Sequence, residues 1–417
     1  MPTPRSDATA SRTPGRPLVR VPVPPGAAGP AALLPALAAA LDGSGPAIAP
    51  IPTVSASVST DYVASLLRAV RADDPRTPLE SSEVAVVATT SGSTGDPRGV
   101  LLTAAQLTSM STIVNGAGPP PAWVAALPVT SIGGLNVLVR ALAAGIDPVA
   151  LPSIGGAGPF TPAAFHAAVG QAGQRSGDVR VAIVPAQLAR LLSDDAGVAA
   201  LRACTLVLVG GAATRRSLLT MAEQLGIAVT TTYGATETSG GCVFDGRPLP
   251  GVSVTAQAET GHLTISGPCV AMGYRCEPAL TAEGFTDAGF EMPDIGSVGP
   301  DGHVTVLGRA DDVVVVKGVN VSPDAVGRIA ADLPDVVAAA AVGVHPRGGD
   351  PSICVFVEVR DAAPDVEVAV RDAVVRRLGP VARPASVRRV PRLPHLPNGK
   401  VDRRLLTQWA ESDERTD

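Results

Sequence analysis

The residues best suited to chemistry stand in one stretch, "TTSGSTGDPRG" at 89–99, which follows the apolar run "VAVVA". The stretch combines hydroxyl groups, glycines and a single cation, Arg98. Small residues let a polyanion approach backbone N–H groups closely, while hydroxyls add hydrogen-bond donors and the arginine adds positive charge. This composition predicts a phosphate-binding loop, whose contributing residues are Thr89, Thr90, Ser91, Gly92, Ser93, Thr94, Gly95 and Arg98.

A glycine- and serine-rich loop is also typical of an ordinary flexible turn, so the phosphate interpretation needs support from elsewhere in the chain. Neither G-x-x-x-x-G-K-[ST] nor G-x-G-x-x-G occurs in the sequence, which excludes the P-loop and the dinucleotide fingerprint. We expect the loop to lie between a buried strand and a helix over "TAAQLTSM".

Three later segments of the chain contribute further polar and charged side chains. "TTYGATET" at 231–238 contains Tyr233 and Glu237, and the segment at 292–312 contains Asp294 and Arg309. "LPNGK" at 396–400 predicts a tight turn that presents Lys400 at its tip. Taken singly, each segment has an ordinary alternative: a turn after a strand, an exposed carboxylate, or a solvated lysine.

Together the four segments resemble the adenylate-forming (acyl-CoA synthetase) superfamily, whose loop reads TSGSTGxPKGV and whose next motif reads YGxTE. The resemblance extends over the chain apart from its N-terminal lead-in and last few residues. It implies a ligase that forms carbon–sulfur bonds, uses ATP and Mg²⁺, and joins a small-molecule carboxylic acid to a thiol, with coenzyme A as the expected thiol.

The resemblance also implies a role for each matching residue. Lys400 is expected to bridge the reacting carboxylate and the α-phosphate, and Lys400, Glu237 and Arg98 form the expected catalytic set. Glu237 and Thr94 are expected to hold Mg²⁺, and Asp311 is the expected hinge. The other expected ATP-binding residues, beyond the loop, are Gly211, Ala212, Thr232, Tyr233, Gly234, Thr236, Asp294 and Arg309.

Several stretches outside these motifs look like the actinobacterial o-succinylbenzoate–CoA ligases of menaquinone biosynthesis, above all "GGCVFDG" at 240–246. An acyl pocket for an aromatic acid is then expected at Ser131, Gly134, Arg190, Gly211, Gly240 and Gly241. Arg190 could pair with a second carboxylate of the substrate, because a bidentate arginine–carboxylate pair orients its partner. The alternative is an arginine on a helix surface.

Four departures from the family pattern leave other functions open. Arg98 replaces the usual lysine, and Met292-Pro293 replace Thr-Gly. Thr130-Ser131 stand where the family has His-His, and "RGGDPS" stands where a Trp-Gly-Glu is usual. The alternatives are a diverged enzyme that uses another aryl acid or acceptor, and a non-catalytic adenylate-binding relative.

The positions of these motifs depend on the elements around them. Short apolar runs alternate with helical stretches up to about residue 250, which predicts an α/β fold with parallel-rich sheets flanked by helices. Residues 17–310 are expected to form the N-terminal adenylation domain, with a small antiparallel β-subdomain at about 251–310. A small α+β C-terminal domain at 311–417 follows a hinge, and residues 1–16 form a disordered lead-in.

Bulk composition excludes several classes of protein. The chain has 417 residues, a net charge of −5 and no long basic block, which argues against nucleic-acid binding. The apolar segment near the N-terminus is interrupted by Pro35 and Asp42, so no membrane insertion is expected. The five cysteines form no C-x-x-C pair, which favours a reducing compartment, the cytoplasm. The formation of a homo-oligomer is left open.

Overall fold

The fold is described by a computed structural model for residues 16–72, 74, 76–90, 97–310, 314–316, 319–344, 351–359, 365–395 and 401–412. The helices of this part are α1 Ala28–Asp42, α2 Thr60–Val70, α3 Ala104–Asn115, α4 Ile132–Ala144, α5 Pro162–Gly173, α6 Pro185–Leu192, α7 Asp195–Arg202, α8 Arg216–Gln224, α9 Pro278–Gly284, α10 Pro323–Ala331, α11 Val366–Leu378 and α12 Arg403–Ser412. The strands are β1 Leu18–Val23, β2 Ala47–Pro52, β3 Val84–Thr89, β4 Gly99–Thr103, β5 Ala122–Ala125, β6 Val149–Ala150, β7 Val179–Ile183, β8 Leu206–Val209, β9 Val229–Ala235, β10 Gly240–Phe244, β11 Arg247–Pro248, β12 Ser253–Ala256, β13 His262–Ser266, β14 Gly273–Tyr274, β15 Phe285–Thr286, β16 Gly289–Val298, β17 Val304–Arg309, β18 Val314–Val316, β19 Val319–Val321, β20 Val336–Val344, β21 Ser352–Val359 and β22 Ser386–Arg389. The mixed α/β class predicted from the alternation of apolar runs is confirmed.

A seven-stranded sheet carries several of the predicted site segments, in the strand order β11-β10-β9-β8-β7-β5-β6. Strands β9, β8, β7, β5 and β6 run parallel to one another. Their apolar side chains, such as Trp123, Val181 and Val207, are fully buried, as expected for a parallel sheet covered by helices. Because parallel strands end at a common edge, the segments after β5, β7, β8 and β9 lie along that edge.

The predicted phosphate loop connects β3 and β4, two antiparallel strands of a sheet in the order β1-β2-β3-β4-β14. The segment after the loop, "GVLLT", is buried as β4 and pairs with β3 and with β14. Helix α3 begins only after this strand, where Thr103 and Gln106 form a capping box. The expectation that the loop leads directly into the helix was therefore wrong, because a buried strand comes between them.

The antiparallel texture predicted for the region after residue 251 is present. Strands β12, β13, β16 and β15 form a sheet in that order, and β17 pairs with β16. The pairing of β16 with β17 places Asp294 opposite Arg309. Two residues that are 15 positions apart in the sequence are thus brought together by the pairing of consecutive strands.

The last part of the described chain forms its own sheet, β20-β21-β22, beside the β18–β19 hairpin. Helices α10 and α11 contribute Val326, Val370 and Val374 to the core on this sheet. Arg215 donates from Nη1 to the carbonyls of Ala331 and Val336 over 3.2 and 3.1 Å, which joins the start of α8 to this part. The exact domain boundaries and the hinge stay predictions, and Asp311 lies outside the described residues.

Two general predictions from the sequence concern the cysteines and membrane insertion. All five cysteines lie in this part and are free thiols, three of them buried: Cys242, Cys269 and Cys354. Among the helices that the structure describes, none combines the length and the apolar character needed to cross a bilayer.

Candidate active site

Tyr233 and Asp294 lie in direct contact, although they are 61 residues apart in the sequence. The Tyr233 hydroxyl, on β9, donates to Oδ2 of Asp294, on β16, over 2.8 Å. Burial and the neighbouring Asp294 carboxylate raise the pKa of Tyr233, so the hydroxyl stays a donor at neutral pH. Arg309, on β17, lies opposite Asp294. The three residues predicted to hold the nucleoside, Tyr233, Asp294 and Arg309, are therefore neighbours.

A cavity of about 660 Å³ lies between α8, β9, the β10–β11 hairpin and β17, and is not lined by Tyr233, Asp294 or Arg309. A smaller cavity of about 160 Å³ continues from it to Thr232 and Tyr233. Val304 and Val306 of β17 line both cavities and give them an apolar wall. The side chain of Thr231 is turned to Asp245, whose Oδ1 accepts from its backbone N–H and its hydroxyl.

Glu237 is held from two directions by the segment that leads into β14. The backbone N–H of Ala271 donates to the Glu237 carbonyl over 2.8 Å, and the Tyr274 hydroxyl donates to its Oε1 over 2.9 Å. Burial and the Glu237 charge raise the pKa of Tyr274, whereas Arg98 acts in the opposite direction. Arg98 lies over the Tyr274 ring, with Cζ 5.3 Å from the ring centroid.

Only the ends of the predicted phosphate loop are described. Thr89 ends β3 opposite Gly99, and the Thr90 N–H donates to the Arg98 carbonyl over 2.9 Å, so the loop closes as a hairpin connection. The predicted residues Ser91, Gly92, Ser93, Thr94 and Gly95 lie outside the described residues, as does Lys400.

These groups form what we call the nucleotide side of the site. Its members are Arg98, Tyr233, Glu237, Tyr274, Asp294 and Arg309.

Some residues predicted for the acyl pocket make close contacts within the fold, and others are exposed. The residues with close contacts are Ser131, Gly134, Gly240 and Gly241. Ser131 begins α4 and donates from Oγ to the Pro128 carbonyl over 2.6 Å. A Cβ on Gly134 would lie 2.2 Å from that same carbonyl oxygen, so only glycine fits there. Gly240 has φ +97°, and a Cβ on it would lie 2.3 Å from Nδ2 of Asn136.

Asn136, one turn into α4, connects this helix to the segment that contains Ser239 and Gly240. Its Nδ2 donates to the Ser239 carbonyl over 2.7 Å, although 103 residues separate the two. Ser239 is buried with a left-handed φ of 53°, and its Oγ donates to the Cys269 carbonyl over 2.7 Å. Gly241 lies next to Thr232 on β9. We call this group the acyl side: Ser131, Gly134, Asn136, Gly240 and Gly241.

Other predicted residues lie at the same sheet edge with fewer contacts. Gly211 and Ala212 follow β8 and are exposed, Gly211 with φ +79°. Gly234, next to the last residue of β9, pairs with Gly241, and Thr236 begins the short 3₁₀ turn that contains Glu237.

Arg190 is exposed on α6. Its neighbour Gln187 instead caps the helix, accepting from the Val184 N–H and donating to the Ala126 carbonyl. A role for Arg190 toward a second carboxylate stays a prediction.

The sequence analysis missed Tyr274 and Asn136. Asn136 is a polar residue inside the apolar stretch "GGLNVLV", and this was the available signal for it. The chain contains only three tyrosines, so the conspicuous pair "GY" at 273–274 could have marked Tyr274. Neither signal names a partner, because the partners lie on other elements.

A magnesium ion that arrives with a nucleotide fits the donor set. Within the described ranges, no cluster of three or more His, Cys, Asp or Glu side chains could hold a metal alone. Mg²⁺ commonly takes one or two carboxylates and completes its shell with phosphate oxygens and water. Glu237 with its fixed orientation suits that arrangement, and Thr94 lies outside the described residues.

Comparison with family models and with named proteins gives matches along the chain. The AMP-binding enzyme model matches residues 31–275, and the AMP-binding enzyme C-terminal domain model matches residues 326–400. A probable 2-succinylbenzoate–CoA ligase of Mycobacterium tuberculosis is 39% identical over 93% of this chain and 97% of its own length. A sulfoacetate–CoA ligase of Cupriavidus necator is 30% identical over 81% of this chain and 70% of its own length.

Solved structures share the fold. An amide bond synthetase from Marinactinospora thermotolerans matches 96% of this chain and 91% of its own, with a TM-score of 0.77 and 24% identity. The o-succinylbenzoate CoA synthetase of Bacillus subtilis, in complex with its acyl-adenylate intermediate, matches 94% of this chain and 88% of its own. Its TM-score is 0.71 and its identity 19%, so this likeness concerns the fold alone.

Proposed function

Since the chain belongs to the AMP-binding enzyme family, we propose that it is an ATP-dependent acid–thiol ligase. In this proposal it adenylates a carboxylic acid and then transfers the acyl group to coenzyme A. The observation that carries the proposal is the contact of Tyr233 with Asp294, opposite Arg309, at the sheet edge that also carries Glu237. The family resemblance read from the four motifs is confirmed by the family match.

The acid we propose is aromatic and similar to o-succinylbenzoate, which would place the reaction in menaquinone biosynthesis. This choice is supported by the 39% identity with the Mycobacterium tuberculosis ligase over nearly its whole length. A reaction that consumes ATP and coenzyme A fits the cytoplasm, as do five free thiols.

In the first step, a carboxylate oxygen of the acid attacks the α-phosphorus of ATP. A new O–P bond forms, the bond to pyrophosphate breaks, and an acyl-adenylate results. Asp294 accepts hydrogen bonds from the ribose hydroxyls, the Tyr233 ring contacts the base, and the loop with Arg98 holds the β- and γ-phosphates. Lys400 places a cation beside the reacting oxygens, where negative charge develops.

Glu237 and Thr94 would hold Mg²⁺, which would neutralise charge on the phosphates. The carboxylate of Glu237 is kept in one orientation by the Tyr274 hydroxyl. Preorganisation of this kind avoids a rearrangement of the carboxylate during the reaction.

In the second step, the thiol of coenzyme A attacks the acyl carbonyl. A C–S bond forms, AMP leaves, and the thiol proton is released. We propose that the C-terminal part turns about Asp311 between the steps, which withdraws Lys400 and opens a path for the thiol.

Replacement of Lys400 tests the assignment of the two steps. We expect Lys400→Ala to slow ATP–pyrophosphate exchange by about 10- to 100-fold or more, because a hydrogen bond to a charged group contributes on that scale. Thiolysis of supplied acyl-adenylate should be retained. Arg392→Ala, an exposed cation eight positions earlier in the sequence, is the matched control and should leave both steps unchanged. Equal loss of both steps in Lys400→Ala would contradict the assignment.

A second candidate, another aryl acid or another acceptor, is favoured by Thr130 and Ser131, which stand where the family has His-His. A product assay with ATP, a panel of aryl acids and either coenzyme A or simple amines separates the candidates. We expect a coenzyme A thioester of an o-succinylbenzoate-like acid. An amide product, or a thioester of an unrelated acid, would favour the second candidate.

A further inference from the structure

Tyr274 lies between two charged groups of the nucleotide side, Arg98 and Glu237. It lies on β14, which pairs with β4, the strand that leaves the predicted phosphate loop. Its register partner is Val100, and the next residue, Arg275, donates from its backbone N–H to the Gly99 carbonyl over 2.7 Å. The tyrosine is therefore fixed to the strand that begins directly after Arg98.

The aromatic ring of Tyr274 is held by packing. It is 6% exposed, and Phe285 contacts it edge-on, with ring centroids 5.2 Å apart and an interplanar angle of 76°. One contact of the ring remains polar: Arg98 lies over it, 5.3 Å from centroid to Cζ. A planar guanidinium can stack on an aromatic ring as a lysine ammonium cannot.

The hydroxyl of the same side chain reaches the other charged group. It donates to Oε1 of Glu237 over 2.9 Å, while Ala271, three residues before Tyr274, holds the Glu237 carbonyl. Backbone and side chain of Glu237 are thus both positioned by one short segment. Tyr274 therefore contacts both charged groups: Arg98 lies over its ring and also acts on its hydroxyl, and the hydroxyl donates to Glu237.

We propose that Tyr274 is a positioning residue that couples Arg98 of the phosphate loop to the carboxylate of Glu237. When Glu237 and Arg98 bind Mg²⁺ and the phosphates, the contacts of Tyr274 with both would keep the two groups in a fixed relative position. The position of the Arg98 guanidinium over the ring gives the arginine at position 98 a cation–π contact. This inference rests on the proposed function, since it concerns the binding of magnesium and ATP.

The test is calorimetric binding of ATP, with excess Mg²⁺ and separately with EDTA, in the absence of any acid. Tyr274→Phe keeps the ring and removes only the hydroxyl. We expect Mg²⁺ to strengthen ATP binding to the wild type, and Tyr274→Phe to reduce that strengthening about tenfold. Affinity in EDTA should stay unchanged. Tyr62→Phe, a half-buried tyrosine on α2, is the matched control and should bind as the wild type does.

The ring contact is tested by a double-mutant cycle. Arg98→Lys should weaken ATP binding about two- to fivefold in the wild type and in Tyr274→Phe, because both retain the ring. In Tyr274→Leu the same replacement should have no further effect, provided that the thermal midpoint shows a folded protein. If Tyr274→Leu does not fold, the comparison of Tyr274→Phe with wild type still decides the proposal.

Equal affinities of Tyr274→Phe and wild type under both conditions would overturn the proposal. Equal losses with and without Mg²⁺ would do so too, since they would indicate a general structural role. If the wild type itself bound no ATP, the proposed function would fail instead, so the two failures are distinguishable.

Discussion

On the nucleotide side, polar side chains from separate strands meet through hydrogen bonds between their own atoms, as Tyr233 with Asp294 and Tyr274 with Glu237. On the acyl side, the contacts are made mainly with the backbone. Gly134 and Gly240 have no room for a Cβ, and the side-chain amide of Asn136 joins α4 to the Ser239 carbonyl. In the proposed function, the polar contacts would fix the position of ATP, whereas the glycines would set the shape of the acyl pocket, which can differ from one acid to another.

Substitutions on the two sides should therefore have different effects. A change on the nucleotide side should alter the KM for ATP and leave the acid alone, whereas a change on the acyl side should do the reverse.

Asp294→Asn should raise the KM for ATP by about 10- to 100-fold, because a charged acceptor for the ribose hydroxyls and for Tyr233 is lost. The KM for the acid should stay within about twofold of the wild-type value, since hydrogen bonds at the ribose do not reach the acyl side. Steady-state kinetics with each substrate varied in turn measures both values. Asp287→Asn, an exposed carboxylate, is the control. A parallel rise of both constants would break the separation.

Gly240→Ala should raise the KM for the acid by about tenfold, because a residue with a side chain is strained at positive φ by roughly 1–2 kcal/mol and its Cβ meets Asn136. The KM for ATP should change little. Gly158→Ala serves as the control, since that glycine faces open space without a left-handed φ. An unchanged KM for the acid, in a variant with wild-type thermal stability, would remove Gly240 from the pocket.

Arg190→Ala tests whether the exposed arginine on α6 reaches a second carboxylate of the acid. An exposed ion pair contributes little, so we expect a rise in KM of about fivefold or less for dicarboxylic aryl acids. Monocarboxylic acids should be unaffected. A rise of equal size for both kinds of acid would contradict the pairing.

Asp178 offers a test away from both sides, at the start of β7. Arg180 donates to it over 2.9 and 2.5 Å and holds the pKa of its carboxyl below the ordinary value of 3.8. A lowered folded pKa means that the stabilisation is full above pH 4 and is lost as the pH falls through the folded value. Asp178→Asn should lower the free energy of unfolding by about 1–2 kcal/mol at pH 7 and by less at pH 3.

Urea unfolding at the two pH values measures this effect, with Asp335→Asn, an exposed aspartate, as the control. A loss of stability that is equal at both pH values would show that the carboxylate charge is not its cause. Neither KM should change, because Asp178 lies at the opposite end of the parallel strands from the site.

The site residues proposed from the sequence stay predictions on both sides, and each side contains one residue that the sequence did not indicate, Tyr274 and Asn136. Tyr233, Asp294 and Arg309 sit in motifs whose residue types carry their chemistry; sheet register places Asp294 opposite Arg309, and a side-chain hydrogen bond joins Tyr233 to Asp294 across two sheets. Tyr274 and Asn136 act through partners 37 and 103 residues away, and such pairs depend on how strands and helices pack. The segment "GVLLT" was missed as a strand because its role depends on pairing with both β3 and β14.

The central claim is that this chain adenylates an aryl acid, and acid-dependent exchange of pyrophosphate into ATP tests it most directly. We predict exchange that requires Mg²⁺ and is stimulated by o-succinylbenzoate or a closely similar aryl acid in the absence of coenzyme A. A protein that binds ATP but shows no exchange with any acid of the panel would contradict the claim and identify a non-catalytic adenylate-binding relative.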